Sequence, residues 1–152
     1  MSKETKNQPL VSVIINCFNG EKYLREAIDS VYAQTYKNWE IIFWDNASTD
    51  KSAEIANSYD SKLRYFRGEN TITLGAARNK ALEKCDGDYI AFLDVDDLWI
   101  SEKLKSRRLA PSKISSWVLR VMGRDRGVVK FTISTFQRAA VRLLRPILPI
   151  YL

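Results

Sequence analysis

Tyr89-Ile90-Ala91-Phe92-Leu93-Asp94-Val95-Asp96-Asp97-Leu98-Trp99 decides how this chain is read. From Tyr89 to Asp94, aromatic and branched residues run almost without polar relief, which suits a strand covered on both faces. The run then releases three carboxylates within four positions. Ligands of open α/β sheets sit outside the carboxyl ends of the strands, and adjacent carboxylates repel one another unless a cation or hydrogen-bond donors compensate them. Asp94 and Asp96 therefore suit Mg or Mn, hard cations with oxygen ligands, gripping a diphosphate at the same time. A solvated acidic turn or a helix cap is the simpler use of these residues. The buried strand that delivers them favours the ligand reading.

Outward from this stretch the chain alternates. Val11 to Ile15 is a β-branched strand, left through the turn Asn16-Cys17-Phe18-Asn19-Gly20. The helix after it carries Leu24, Ala27, Ile28 and Val31 on one face and ends around Gln34-Thr35-Tyr36. Trp39 to Trp44 is the second strand. It closes on Asp45-Asn46-Ala47-Ser48-Thr49-Asp50, where Ser48 or Thr49 can cap a helix running through Ile55, Ala56 and Tyr59. Leu63 to Phe66 is a short strand, and Leu74 to Leu82 an alanine-rich helix that stops before the central strand. The order βαβαβαβ predicts a mostly parallel, Rossmann-like α/β sheet with right-handed crossovers. Gly20 stands alone after the first strand, so neither a dinucleotide fingerprint nor a P-loop is present. A nucleotide here would be held through carboxylates and a metal.

Composition sets the outer bounds. The 152 residues, 45% hydrophobic and 28% charged, fit one soluble globular domain. The net charge of +6 hides a division: residues 1–100 hold 12 Lys/Arg against 16 Asp/Glu, and residues 101–152 hold 12 against 2. The acidic first part argues against a nucleic-acid binder, and the abrupt shift marks a boundary. Residues 1–9 read as a disordered lead without the apolar core of a signal peptide. Two cysteines, Cys17 and Cys85, and no histidine exclude a disulfide framework and a zinc cluster, and reduced thiols fit a cytoplasmic location.

Five motifs occur in order: Val11-Ser12-Val13-Ile14-Ile15 with Phe18-Asn19, Gln34-Thr35-Tyr36, Asp45 to Asp50, Gly75-Ala76-Ala77-Arg78-Asn79, and Phe92 to Asp97. Together they resemble the donor-binding half of the family-2 glycosyltransferases, inverting enzymes of the GT-A fold, over residues 10–104. The resemblance implies a nucleotide-diphosphosugar donor, a UDP-sugar above all, a glycan or lipid-linked acceptor, and Mg or Mn. It places Asn16 to Phe18 at the base pocket, with core packing the simpler role for Phe18. It makes Asp45 a ligand or merely a cap. It gives Asn46, where the family often has an acid, a carbonyl that can accept the base's N–H without charge assistance. Asp94-Val95-Asp96 matches the DxD-type motif, Asp96 as metal ligand and Asp94 on the ribose or a metal-bound water. Asp97 would cap a helix entered at Leu98-Trp99. Arg78 and Asn79 would lie near the phosphates or form ordinary surface contacts.

The resemblance fades after Lys103-Leu104. Beyond Glu102 the only acid is Asp125, between two arginines, so the general base that a displacement by an acceptor hydroxyl requires is not found. The expectation is a truncated or frame-disrupted member with an atypical basic tail over 105–152; a natural short form is the alternative. Phe136, Ala140, Leu143 and Leu144 fall near helical spacing among arginines, which would allow peripheral contact with the inner face of a membrane. A silent donor-binding fragment competes with the enzyme reading. A phosphoacceptor receiver domain fits less well, because the first strand exits without an acid pair.

Overall fold

The alternation of branched runs and amphipathic segments yields a six-stranded sheet, its strands lying side by side in the order Leu63–Arg67, Trp39–Asp45, Val11–Cys17, Tyr89–Phe92, Val118–Asp125, Val128–Thr132. The structure, a computed structural model, describes residues 8–105, 118–125 and 128–132. Strands β1 (Val11–Cys17), β2 (Trp39–Asp45), β3 (Leu63–Arg67) and β4 (Tyr89–Phe92) are parallel. Helices α1 (Glu21–Tyr32), α2 (Ser52–Asn57) and α3 (Leu74–Leu82) connect them. This is the predicted parallel sheet flanked by helices. Strands β5 (Val118–Asp125) and β6 (Val128–Thr132) extend it as an antiparallel hairpin, with a register shift between Val121 and Gly123. The sequence reading assigned no element to that region.

Period-two alternation along each strand sorts its side chains between two cores. Val13, Ile15, Ile41, Phe43, Ala91 and Leu93 face α1 and α2, where Leu24, Ala27, Ile28 and Val31 are the buried residues of α1. Ile14, Ile42, Trp44, Ile90 and Phe92 face α3 through Ala77, Ala81 and Leu82. Burial on both faces explains why the strands read as unbroken apolar runs. Just before β4 a missing side chain permits close approach: a Cβ on Gly87 would lie 2.6 Å from the Ser12 backbone nitrogen.

Two local expectations change. Neither Ser48 nor Thr49 caps α2, because both tie loops together: the Asn19 N–H donates to Ser48 Oγ at 2.9 Å, and the Thr49 N–H donates to Asn19 Oδ1 at 2.8 Å. Asp50 takes the capping work, accepting from the Ser52 N–H at 2.9 Å and, through its other oxygen, from the Glu21 N–H that opens α1. Glu21 returns the favour to the Lys51 N–H at 2.9 Å, so the two helix starts are capped reciprocally. Finally, Leu98 and Trp99 do not enter a helix. The Asp97 N–H closes a turn onto the Asp94 carbonyl at 3.0 Å, and Trp99 is buried while Leu98 and Ile100 on either side of it are exposed. That alternation is extended, not helical.

Candidate functional site

Strand order places the reversal between β1 and β4: the chain builds β1, β2 and β3 to one side and β4 to the other. The crevice beyond such a switch point is where open α/β sheets bind ligands. β1 exits there through Asn16 and Phe18, β2 beside it through Asp45, paired in register with Cys17, and β4 through Asp94. The residues singled out in the sequence thus gather at one end of the sheet, in two groups on either side of the β1 exit.

At the β1–β2 side, Asp45 is fully buried. Its Oδ1 accepts the Ser48 N–H at 2.7 Å; its Oδ2 accepts the Tyr65 hydroxyl at 2.6 Å and the Arg67 guanidinium at 2.7 Å. Burial alone would push this carboxyl up, but the hydrogen bonds from Tyr65 and Ser48 and the charge of Arg67 outweigh it and hold it below the ordinary carboxylate range. Three of about four acceptor sites on the carboxylate are therefore occupied within the protein. Asn46 is buried too. Its Nδ2 donates to the Ile72 carbonyl at 2.8 Å, and its Oδ1 accepts the Ile72 N–H at 3.1 Å. The amide imitates a strand partner and pins the loop that leads into α3; one lone pair of Oδ1 is left over. Ala47, next in line, has φ 63°, in the left-handed region that non-glycine residues seldom adopt.

The β1 exit supplies two groups that the fold itself does not use. Phe18 is 52% exposed, so core packing does not account for it. Asn16 Nδ2 is buried without a hydrogen-bond partner among the described residues, a donor in want of an acceptor. Cys17 between them points into the core, where burial pushes its thiol up, and neither cysteine forms a disulfide.

At the β4 side, Arg78 from α3 donates to Asp94 Oδ1 at 2.8 Å and lies over the Phe92 ring. The resemblance gave Asp94 to the ribose or a metal-bound water and Arg78 to the phosphates or an ordinary surface contact; the structure pairs the two side chains with each other. Asp96 is exposed. Val95, between the two acids, sits against the β1–α1 turn: a Cβ on Gly20 would meet Val95 Cγ2 at 2.7 Å and Cys17 Sγ at 2.8 Å. The acid turn is thus seated in a notch that only glycine leaves open.

Among the described residues no three Asp, Glu, His or Cys side chains gather as a metal cage. Asp96 is exposed and Asp94 has one oxygen outside its bond to Arg78, and Mg asks only one or two carboxylates of a protein when phosphate oxygens and water complete its shell. What the sequence did not assign a role is Gln34. Fully buried, it binds the backbone of the segment that follows the acid turn. Residues 1–7 and the candidate amphipathic segment around Phe136 to Leu144 lie outside the described residues, and no described helix is long and apolar enough to cross a membrane.

Comparison with known proteins agrees with this geometry. The profile of Glycosyl transferase family 2 matches residues 12–107. An uncharacterized glycosyltransferase of Rickettsia typhi is 46% identical over 103 residues, 68% of this chain and 32% of that protein. The putative teichuronic acid biosynthesis glycosyltransferase TuaG of Bacillus subtilis is 39% identical over 106 residues, 68% of this chain and 42% of its own. The chain therefore spans well under half the length of these relatives. Among solved structures, S. aureus TarS 1–349 in complex with UDP-GlcNAc superposes with a TM-score of 0.60 at 33% identity, covering 62% of this chain and 29% of that one. The mannosyltransferase PcManGT of Pyrobaculum calidifontis, in complex with GDP-Man and Mn2+, gives 0.61 at 25% identity, covering 65% and 31%.

Proposed function

The chain belongs to glycosyltransferase family 2 and carries a GT-A donor-binding half-fold, and from that premise we propose that it binds a nucleotide-diphosphosugar, UDP-linked, in the crevice beyond β1 and β4 for glycan synthesis. One observation carries the reading: an exposed aromatic ring, a buried unpaired amide donor and an exposed carboxylate stand at the same sheet end, at the switch point, with no role in the fold. The UDP-GlcNAc complex of TarS supports uridine as the base, and the Mn2+ complex of PcManGT supports a divalent metal.

The residues divide the work. Phe18 contributes a face for the base, and Asn16 Nδ2 donates to a ligand oxygen. Asp45 holds the β2 exit rigid through Ser48, Tyr65 and Arg67, while Asn46 fixes the opposite loop and keeps one acceptor lone pair. Asp96, with Asp94, would hold Mg or Mn, which supplies charge stabilisation to a departing diphosphate. Arg78 restrains Asp94 and adds positive charge beside it. Transfer to a glycan or lipid-linked acceptor also requires a carboxylate base within reach of the attacking hydroxyl. Residues 10–104 provide the donor side of that reaction, and a donor-binding chain without transfer activity is the second reading, favoured by the scarcity of acids beyond Glu102.

Amide shift mapping on titration with UDP and Mg tests the proposal. Shifts concentrated at residues 16–18, 45–46 and 94–97 are expected. Shifts confined to the surface groove formed by Glu21, Arg25, Lys51 and Glu54 would place the ligand elsewhere.

A further inference from the structure

The acid turn belongs to an irregular segment, residues 93–105, that contains neither helix nor strand. Such a segment keeps a fixed shape only if its backbone polar groups find partners outside it. At its start, the Leu93 N–H donates to the Ile14 carbonyl at 3.0 Å, and Val95 fills the notch at Gly20. At its far end nearly every tie leads to one place, the C-terminal end of α1. The Trp99 N–H donates to Ser30 Oγ at 3.2 Å, and the Thr35 N–H donates to the Ser101 carbonyl at 2.9 Å. Gln34 does most. Its Nε2 donates to the Ile100 carbonyl at 2.8 Å and to the Ser30 carbonyl at 3.0 Å, and its Oε1 accepts the Leu104 N–H at 2.9 Å.

A fully buried primary amide with both donors and its acceptor engaged by backbone is a costly arrangement unless all three bonds form together. No other side chain reproduces it. Glutamate loses both donors and buries a charge, asparagine is one methylene shorter, and methionine fills the volume while leaving Ser30 O, Ile100 O and Leu104 N without their partner.

We propose that Gln34 is a positioning residue for the acid turn: by fixing residues 100–104 to α1, it sets where Asp96 stands in the donor crevice. This rests on the reading of Asp96 given above. Gln34 acts through the backbone, not by touching ligand. The two anchors, Val95 at Gly20 and the Gln34 clamp, bracket Asp96 and Asp97 from either side, so releasing one lets the carboxylates wander while β1, β2 and α3 stay in place.

Hydrogen exchange by NMR on the full 152-residue chain tests this, with Gln34→Met compared to wild type. Exchange at Asp97 and Trp99 should rise at least about tenfold, with Ile14, Ile42 and Ala81 unchanged, and the factor by which Mn tightens UDP should fall at least about threefold while UDP binding without metal holds. A merely structural cap of α1 would raise exchange at Leu104 alone; protection unchanged at Asp97 overturns the proposal. Thr35→Val, which removes the bond from Thr35 Oγ1 to the Ser101 carbonyl at 3.3 Å, and Ser30→Ala, which removes the acceptor of the Trp99 N–H, carry the same comparison if Gln34→Met does not fold. They should produce smaller rises at Trp99 and Asp97, and no rise in either would overturn it equally. A wild-type chain whose UDP affinity ignores Mn would defeat the donor-site reading, whereas the exchange pattern judges Gln34 on its own.

Discussion

Asp45 shows how one carboxylate can organise the mouth of a sheet. Because its pKa is lowered in the folded chain, its contribution to stability is fully present above the unfolded value, about 3.9, and is lost as pH falls through the folded one. Asp45→Asn removes a charged acceptor shared by Tyr65 and Arg67, at a cost of about 1–3 kcal/mol by denaturant titration at pH 7. The difference from wild type should shrink on acidification below about pH 4. Asn46 carries a stability prediction of its own, separate from any contact with a base. An acid there would gain charge for the base's N–H, but it would lose the bond to the Ile72 carbonyl and set two acceptors against each other. Asn46→Asp should therefore destabilise the chain by about 1–3 kcal/mol. An unchanged or higher melting temperature would show that the Ile72 pairing is dispensable. At this scale, type and position singled out Asp94, Asp96 and Phe18, and the structure brings all three to one end of the sheet. Gln34 was not singled out, because its partners Ile100 and Leu104 lie 66 and 70 positions away and a buried amide has no periodic signature.

Elements were legible wherever burial is periodic. The α1 stripe follows from apolar spacing, and α3 from its alanine-rich run, whose buried Ala77, Ala81 and Leu82 meet the sheet. The end of β4 was harder. Leu93 still bonds to β1, yet the chain leaves the ladder to form the turn at Asp94, and an acid-rich stretch before Trp99 resembles a helix start although its tertiary ties keep it extended. Strands β5 and β6 had no reading at all; a basic, unfamiliar stretch gave no pattern to place them on a sheet edge. The notch between turn and helix gives a prediction of its own. Gly20→Ala should cost about 1–3 kcal/mol through overpacking against Val95 and Cys17. Val95→Ala in the same chain should recover part of it, a coupling that a double-mutant cycle reads directly. Strict additivity would mean that Val95 does not rest on Gly20.

At the scale of the molecule, the described residues bring the proposed donor-side groups to one end of a parallel sheet whose edge is extended by an antiparallel hairpin. On the second reading, donor binding without transfer, the 152-residue chain assayed with nucleotide sugars and lipid or glycan acceptors should turn over at least about 10²-fold more slowly than ordinary enzymes, as expected where no base is positioned. Turnover of about one per second or faster would show that residues beyond Leu104 supply an acceptor site. The central claim, though, is donor binding at the β1–β4 switch point through Asp96. Titration calorimetry of UDP with Mn, on wild type and Asp96→Asn, tests it most directly. Asparagine keeps the shape and removes the charge, so the account predicts that Mn tightens UDP binding to the wild type and that the variant loses about tenfold or more of that affinity, with metal-free binding unaltered. Equal affinities for the two proteins in the presence of Mn would contradict it.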